Sequence, residues 1–240
     1  MQLLKTSIGV VIVPASGEPV LVRQILGIGR NYADHAKEQA AEIPTRPMVF
    51  AKSPMSACVN GDDIVVPKVC QDRPQVDWEA ELAVIIGRGP DGRVCRDVPE
   101  GEALKFVLAY ACGNDVSARW WQKEGSGGQF NRGKSFDTFC PLGPCVPADR
   151  IPNPQDLRVR CRVNSVTMQD ASTSQMIFTV ASLIADLSRG ATLPPGTVIM
   201  TGTPAGVGMA RNPPVFLKHA DEVEIEIDGI GVLKNRVRFE

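Results

Sequence analysis

The sequence has no long apolar run, no CxxC pair and no excess of one charge sign, and each absence excludes a class of protein. Its apolar stretches are too short to span a bilayer, so we expect no membrane partner. The net charge is −1 without a basic stripe, which argues against nucleic acid as a partner. The seven cysteines are widely spaced, which disfavours a zinc site and favours free thiols in a reducing compartment.

Helical periodicity is scarce as well. Three stretches have a convincing helical pattern, and they are residues 31–41, 101–108 and 179–187. Asn31 is a good N-cap for the first, and Gly190 is a good C-cap for the third. Elsewhere, short branched runs alternate with turn residues; examples are Ile64–Val66, Leu157–Val163, Thr197–Met200 and Val223–Ile227. The pattern predicts an α+β protein that is dominated by strands, with a few helices outside.

The first 22 residues predict a short strand segment of their own. The apolar run Ile8–Val13 ends at Pro14, which is typical of a strand and not of a signal peptide. We expect residues 1–22 to pack on a main domain formed by residues 23–240, because no repeat or flexible linker divides the remainder. The chain also shows no arginine-rich leader, so we expect a cytoplasmic protein, or a mitochondrial one if a leader has been removed.

Three carboxylates stand out against this background. Glu79 and Glu81 lie two residues apart, just before the apolar run Leu82–Ile86, which predicts a buried strand. Alternate residues of a strand share a face, so the two acids would lose hydration and repel each other unless a cation compensates them. Asp115 follows a second apolar stretch, residues 106–111. Three carboxylates suit Mg²⁺ or Mn²⁺, although two glutamates on a strand are also common on a solvated face.

His35 and Glu38 form a second candidate pair. They lie three residues apart on the first predicted helix and therefore share one face. A carboxylate beside an imidazole fixes its tautomer and raises its basicity. The only other histidine, His219, lies in a predicted surface turn. Taken alone, the pair is also typical of an exposed helix with incidental charges.

Six motifs together resemble the fumarylacetoacetate hydrolase superfamily, in its single-domain branch. They follow the family order and are GRNYADH (29–35), FAK (50–52), EAEL (79–82), NDVSAR (114–119), GKSFD (133–137) and TGTPAGVG (201–208). The segments CPLGP (140–144) and PPVFLK (213–218) resemble in particular the second type of animal fumarylacetoacetate hydrolase domain-containing protein. That branch is associated with oxaloacetate keto–enol tautomerisation.

The resemblance implies a fold and a set of roles. The fold would be a mixed β-sandwich roll with a few peripheral helices, assembled as a homodimer. Glu79, Glu81 and Asp115 would be the ligands of Mg²⁺ or Mn²⁺. The catalytic residues would be His35 and Glu38 on a short lid helix, together with Lys134, and Gly27 and Gly29 would be candidate hinges. The expected substrate contacts are Arg30, Tyr32, Lys52, Arg119, Gln122 and Thr203.

Three features depart from the family pattern. Trp120 stands where related sequences usually carry a polar residue, and residues 124–128 are unusually rich in glycine. Asp77 stands where some relatives carry histidine. These departures bear on the choice of substrate and on the surroundings of the metal.

Together these residues predict a metal-dependent enzyme acting on a small enolisable 2-oxo acid. A metal bound to the keto oxygen would stabilise an enolate in hydrolysis, decarboxylation and tautomerisation alike. We expect carbon–carbon bond hydrolysis of an acylpyruvate first, with oxaloacetate tautomerisation or decarboxylation as the alternative. A non-catalytic metabolite-binding protein would be expected to lose the His35–Glu38 pair or a metal ligand, and all are present. A scaffold role has no amphipathic or repeat element to support it.

Overall fold

The computed structural model describes all residues from 1 to 240 and is built mainly of strands. The strands are β1 (Gln2–Thr6), β2 (Gly9–Val13), β3 (Val20–Leu21), β4 (Gln24–Gly29), β5 (Met48–Lys52), β6 (Ala57–Val59), β7 (Asp63–Val66), β8 (Val76–Asp77), β9 (Ala80–Ile86), β10 (Cys95–Arg96), β11 (Val107–Asn114), β12 (Ser117–Ala118), β13 (Cys140–Pro147), β14 (Arg158–Val163), β15 (Val166–Ser172), β16 (Thr192–Leu193), β17 (Thr197–Met200), β18 (Glu222–Ile227) and β19 (Gly231–Phe239). The helices are α1 (Ala33–Glu38), α2 (Glu100–Ala103), α3 (Arg119–Gln122), α4 (Phe130–Lys134) and α5 (Val180–Ser188). None of the helices has the length and apolar character needed to cross a membrane.

The largest sheet has seven strands in the order β5-β4-β17-β9-β11-β13-β6. Its neighbours are antiparallel except for the parallel pairs β4–β17 and β13–β6. Every residue of β9 is buried, which confirms the interior strand predicted from Leu82–Ile86. In the register of β9 and β11, Glu81 pairs with Gly113, so the start of β9 lies beside the end of β11. This pairing places the two glutamates next to the segment that carries Asp115.

A second sheet of five strands, in the order β15-β14-β18-β19-β7, packs against one face of the first. Residues of β14 and β18 are alternately buried and less buried, as their alternating sequences predict. The main core lies between the two sheets and includes Leu82, Val84, Tyr110, Val159, Cys161, Ile225 and Leu233. The strand-dominated α+β sandwich predicted from the sequence is therefore confirmed.

The N-terminal strands cover the opposite face of the large sheet. β1, β2 and β3 form a separate antiparallel sheet. Its buried residues Val10 and Ile12 join a second core with Ala83, Ile85 and Val198. The first strands thus pack on the large sheet, and the division into units 1–22 and 23–240 stays a prediction.

Two of the three predicted helices differ from the sequence-based expectation. The prediction for residues 101–108 is wrong at its C-terminal end: α2 spans only Glu100–Ala103, and Val107 begins β11 after one 3₁₀ turn. The apolar run that begins there is buried in the centre of a sheet, so tertiary packing overrides the helical pattern. The third helix, α5, agrees with its prediction, because Gly190 follows it in the left-handed region at φ 68°.

Helix α1 is shorter than predicted, and Asn31 does not cap it. The N-cap is Tyr32, without a side-chain hydrogen bond. The Asn31 amide instead donates to the carbonyls of Phe178 and Thr201, at 3.0 and 2.8 Å, and accepts from the Phe178 N–H at 2.7 Å. The helix ends before Ala40, which has the left-handed φ of 50°. The Asn31 side chain therefore satisfies buried backbone groups of two distant segments and is not available to cap the helix.

The glycines predicted as hinges have a packing explanation. Gly27 and Gly29 are paired residues of β4, opposite Phe50 and Met48 of β5. A Cβ at Gly27 would lie 2.2 Å from the Phe50 ring, and one at Gly29 would lie 2.1 Å from the Met48 side chain. Glycine at position 27 therefore leaves room for the Phe50 ring, whereas at position 29 the atom in the way is the mobile end of the Met48 side chain.

Candidate functional site

Glu79, Glu81 and Asp115 converge where β9 begins and β11 ends. One ligand atom from each lies within 4.8 Å of those from the other two, and all three residues are buried. The Asp115 N–H donates to the Glu79 carbonyl at 2.9 Å, which ties the two segments together. The acids that the sequence predicts to meet do so, through strand pairing between segments some 35 residues apart.

Two buried lysines neutralise part of this cluster. Lys134 Nζ donates to Glu79 Oε2 at 2.8 Å and to Asp115 Oδ2 at 2.6 Å. Lys52 Nζ donates to the other Asp115 oxygen and, at 3.0 Å, to the Phe139 carbonyl. The Lys52 side chain has no exposed surface. Its ammonium binds Asp115 in the structure, and the substrate contact stays a prediction.

Arg119, on α3, connects the cluster to a fourth carboxylate. Its Nη1 donates to Glu79 Oε1 at 2.6 Å, and its Nε donates to Asp77 Oδ2 at 2.8 Å. Asp77 also accepts from the N–H groups of Gly208 and Met209, at 2.7 and 3.0 Å. The carboxylate that departs from the family pattern thus fixes both Arg119 and the end of the glycine-rich loop. Sequence reasoning noted Asp77 only as a departure and did not find this role.

The two glutamates experience opposite electrostatic environments. Burial acts to raise the pKa of Glu79, but the charges of Lys134 and Arg119 outweigh it and hold that pKa below its ordinary value. Burial raises the pKa of Glu81 well above its ordinary value, and Asp115 and Glu79 add to the rise. Glu81 forms no ion pair, and its only hydrogen-bond donor is the Gly202 N–H at 2.8 Å. Its Oε1 therefore has no partner in the protein.

This arrangement fits a hard divalent cation. A buried carboxylate with a free oxygen, close to two others, is what an ion with oxygen ligands would complete. The cluster holds four carboxylates and three cationic side chains, so it carries one negative charge in excess. A divalent ion would change this to one positive charge, which the carboxylate of a 2-oxo acid could neutralise.

A cavity of about 310 Å³ gives access to the cluster. Its lining contains seven of the predicted site residues, namely Arg30, His35, Glu79, Arg119, Gln122, Lys134 and Thr203. Its apolar walls come from Ile28, Met48, Phe50, Phe130 and Met209. Glu81 and Asp115 do not line it. A larger groove of about 500 Å³ beside α5 contains none of the predicted residues.

His35 is held in one orientation by its neighbours. Its Nδ1 lies 2.6 Å from Glu38 Oε1, and Glu38 Oε2 accepts from the Gly206 N–H at 2.9 Å. The carboxylate can only accept, so Nδ1 carries the proton and Nε2 keeps its lone pair. The side-chain amide of Gln39 donates to Nε2 across 3.0 Å. The structure thus brings together the predicted pair and adds Gln39, whose only signal in the sequence is its place next to Glu38.

Two predicted substrate contacts make different interactions. The Thr203 hydroxyl donates to the Ala80 carbonyl at 3.0 Å and accepts from Gln169 Nε2 at 2.8 Å, so it has no proton left for an anion. It fixes the glycine-rich loop to β9, and of its two donors only the main-chain N–H is without a partner in the protein. Tyr32 does not line the cavity at Glu79, and its buried hydroxyl makes no hydrogen bond. Burial and the nearby Glu81 raise the Tyr32 pKa above its ordinary value.

The unusual tryptophans and the glycine-rich segment pack against each other. The rings of Trp120 and Trp121 meet edge to face with centroids 4.9 Å apart. A Cβ at Gly125 would lie 2.5 Å from the Trp120 ring, so this glycine allows the segment to close over it. Neither tryptophan lines the cavity, but Lys123, between them and the loop, does. Trp120 therefore shapes the site mouth only through the backbone that carries Lys123.

Comparison with known proteins gives a consistent set of relatives. Residues 24–238 match the family model described as fumarylacetoacetate (FAA) hydrolase C-terminal. The chain is 44% identical over 215 residues to the Homo sapiens protein named oxaloacetate tautomerase FAHD2A, mitochondrial, covering 89% of this chain and 66% of that protein. It therefore spans slightly less than two thirds of that relative's length. A putative hydrolase of Burkholderia ambifaria is 47% identical over 224 residues, which cover 90% of this chain and 76% of that protein.

A solved structure resembles the chain over nearly its whole length. It is fumarylpyruvate hydrolase from Pseudomonas aeruginosa in complex with Mn²⁺ and pyruvate. The sequences are 30% identical, the TM-score is 0.81, and the match covers 94% of each chain. The fold described above is therefore shared with a protein that holds a divalent metal and a 2-oxo acid.

Proposed function

Because the chain belongs to the fumarylacetoacetate hydrolase family, we propose that it is an enzyme that transfers a proton on an enolisable 2-oxo acid and interconverts the keto and enol forms of oxaloacetate. One observation carries this proposal. A buried group of three carboxylates meets a cavity whose lining also presents a histidine with its Nε2 lone pair free of a proton. The named relatives with 44% identity support oxaloacetate as the substrate.

The carboxylates would hold the metal that this chemistry needs. Glu79, Glu81 and Asp115 would ligate Mg²⁺ or Mn²⁺, which when bound supplies Lewis-acid stabilisation of negative charge on the 2-oxo oxygen. Lys134 stays between Glu79 and Asp115 and adds a positive charge at the cavity wall. Arg119 keeps Glu79 oriented through its own contacts with Asp77.

His35 is the proposed base. Its Nε2 accepts the proton from the carbon next to the 2-oxo group once the substrate displaces the Gln39 amide. Glu38 stabilises the imidazolium that forms, because its carboxylate is already bonded to Nδ1. The same imidazolium returns the proton to oxygen, which gives the enol without any bond between carbon atoms being broken. The aliphatic and aromatic cavity walls limit the access of water.

Acylpyruvate hydrolysis, the first expectation from the sequence, is the second candidate. The solved fumarylpyruvate hydrolase, similar over 94% of each chain, supports it. In that reaction His35 Nε2 would accept a proton from water as its oxygen attacks the distal carbonyl; the bond from that carbon to the neighbouring carbon would then break, giving a carboxylic acid and the enolate of pyruvate, which takes up a proton. The residues are the same, so the two reactions differ in whether a water molecule lies beside His35. Oxaloacetate decarboxylation is a further outcome that product analysis would reveal.

A direct comparison of substrates tests the proposal. The protein loaded with Mg²⁺ or Mn²⁺ is mixed with enol-oxaloacetate and, separately, with acetylpyruvate and fumarylpyruvate. We expect faster decay of the enol absorbance, without formation of pyruvate or CO₂. Cleavage of the acylpyruvates with no effect on the enol would favour the second candidate. No acceleration of any of these reactions by the metal-loaded protein would contradict both.

The homodimer and the compartment stay predictions. The name of the human relative places that protein in mitochondria. For this chain, the cytoplasmic expectation and the mitochondrial alternative are both open to localisation of the tagged full-length protein.

A further inference from the structure

The cavity at Glu79 is lined by two cationic side chains that the buried cluster does not use. Five charged residues other than His35 line it, namely Arg30, Glu79, Arg119, Lys123 and Lys134. Arg119 and Lys134 are both paired with Glu79, at 2.6 and 2.8 Å. The side chains of Arg30 and Lys123 form no ion pair and no hydrogen bond within the chain; of Lys123, only the main-chain N–H donates, to the carbonyls of Arg119 and Trp120. The lining therefore has two positive charges without a compensating carboxylate.

The backbone holds Arg30 at this wall in an unfavourable conformation. Its φ is 38°, in the left-handed region that residues with a Cβ rarely adopt. The preceding residue ends β4, and the following Asn31 is fully buried by its hydrogen bonds to Phe178 and Thr201. Both flanks are thus fixed, and Arg30 must bridge them. Such strain persists only where the surrounding structure determines it, and it is typical of binding sites.

The neutral polar groups of the lining favour the same kind of ligand. Gln122 uses its Oε1 to accept from Arg119 at 3.0 Å, and its amide nitrogen has no partner in the protein. Gln39 presents its amide nitrogen to His35. Away from Glu79, the side chains therefore offer N–H donors to a ligand, as an anion requires.

We propose that Arg30 and Lys123 bind the second carboxylate of a 2-oxo dicarboxylic acid and so make the site selective for dicarboxylates over 2-oxo monocarboxylates. The inference rests on the proposed function for its placement of the 2-oxo end at Glu79, Glu81 and Asp115. The first carboxylate and the 2-oxo group then lie at the metal, and the second carboxylate lies at the two unpaired cations. A cavity of about 310 Å³ has room for a small dianion of this kind.

Binding of inert ligands tests the assignment without any need for turnover. Calorimetric titrations of the Mn²⁺-loaded protein would compare N-oxalylglycine, a 2-oxo acid analogue with a second carboxylate, and oxamate, which lacks one. The variants are Arg30→Gln, Lys123→Gln and the double variant. Lys37→Gln is the matched control, because Lys37 is an exposed residue of α1 that does not line the cavity.

We expect the wild type and Lys37→Gln to bind N-oxalylglycine at least tenfold more tightly than oxamate. Each single variant should lower the ratio of the two Kd values about tenfold or to unity, because one charge-assisted contact is removed. The double variant should bind the two ligands equally. The affinity for oxamate should stay within about twofold throughout. The preference should also fall with added salt in the wild type. The proposal is overturned if the wild type shows no preference, or if the double variant keeps it.

The outcome is separable from that of the proposed function. If the wild type prefers N-oxalylglycine but does not accelerate enol decay, the proposed reaction is contradicted and the dicarboxylate site is supported. If the wild type accelerates enol decay but the double variant loses affinity equally for both ligands, the reaction is supported and this assignment is contradicted.

Discussion

The tautomer of His35 depends on contacts made by single atoms. The His35 Nδ1–H donates to the Glu38 carboxylate, and the Gly206 N–H donates to the other Glu38 oxygen and holds it in place. These bonds leave Nε2 as the only lone pair of the ring. A base so oriented transfers a proton efficiently because its geometry is fixed before the substrate binds.

Replacing His35 should therefore slow the chemistry and leave the metal site unchanged. We expect His35→Ala to lower kcat for enol decay by about 10²-fold or more, because general-base catalysis typically contributes that factor. Steady-state kinetics measure this, and Mn²⁺ titration shows whether metal affinity is preserved. His219→Ala is the control, since His219 lies at the surface and accepts from the Phe239 N–H at 3.1 Å. A kcat within twofold of wild type for His35→Ala would exclude His35 as the base.

Contacts between candidate residues were predictable from the sequence where they depend on local spacing. The i, i+2 glutamates and the i, i+3 pair His35 and Glu38 follow from strand and helix geometry. Asp77 and Gln169 were not predictable, because their partners are distant in sequence: Asp77 binds an arginine 42 positions away, and Gln169 binds Ala80 from 89 positions away. No local pattern records such contacts. The contact of Lys52 with Asp115 was not predictable for the same reason, since the two residues are 63 positions apart.

Among the secondary-structure elements, the short helices α3 and α4 position the cationic side of the site. α3 carries Arg119 and α4 carries Lys134. They approach closely because Gly133 has no side chain: a Cβ there would lie 2.4 Å from the Gln122 backbone nitrogen and 2.8 Å from the Ala118 carbonyl oxygen. The glycine next to Lys134 thus sets the distance between the two helices.

Adding a methyl group at this contact should disturb both stability and activity. We expect Gly133→Ala to lower the free energy of unfolding by about 1–3 kcal/mol, because the clash is with backbone atoms that cannot rotate away. Displacement of Lys134 should reduce kcat at temperatures where the variant is still folded. Denaturant unfolding and enol-decay kinetics measure the two effects.

Gly101→Ala provides the matched control for that variant. Gly101 lies in α2 with open space at the Cβ position, so alanine should stabilise the helix by about 0.5–1 kcal/mol. Equal stability of Gly133→Ala and Gly101→Ala would show that α3 and α4 do not depend on this close approach.

Sequence patterns predict some element types and boundaries correctly and fail at others. Alternation of apolar and charged residues predicted β14 and β18 correctly, because one face of each is buried and the other is not. The run 106–111 is apolar throughout, and no periodicity distinguishes a buried helix from a buried strand in such a run. Pairing with β9 and β13 makes it β11.

For the molecule as a whole, the acidic cluster lowers the free energy of unfolding when no cation is bound. The cluster lies in the interior, between strands of the central sheet, and Glu81 has no cationic partner there. Ionising such a group in the core is unfavourable, and a bound ion would recover that free energy. Stability and function should therefore respond in opposite directions to removal of the Glu81 charge.

Glu81→Gln tests this opposition in the folded protein. Without metal at neutral pH, we expect the variant to be at least as stable as wild type, since its side-chain oxygen still accepts from the Gly202 N–H and the repulsion is gone. With Mn²⁺ at 100 times Kd, the wild type should gain about 2.7 kcal/mol, and the variant should gain almost nothing. Thermal unfolding with and without Mn²⁺ measures both effects.

Glu18→Gln, at an exposed glutamate with no ion pair, is the control and should behave as wild type. A metal-free Glu81→Gln protein that is less stable than wild type by more than about 1 kcal/mol would contradict the idea that repulsion dominates at this site.

At this scale the sequence predicted the class of the fold, because composition and turn signals extend along the whole chain. The order of strands in the sheets could not be predicted from the sequence, because the pairs β4–β17 and β7–β19 join segments far apart in sequence. The cavity could not be predicted either, because its lining comes from five separate parts of the chain.

The most direct test of the central claim is an anomalous difference map from crystals grown with Mn²⁺. The expected result is a single strong peak within ligand distance of oxygens from Glu79, Glu81 and Asp115, and no peak at that position in Glu81→Gln crystals. Absence of the peak in the wild type at saturating Mn²⁺, or a peak held by other residues, would contradict a metal centre at these three carboxylates.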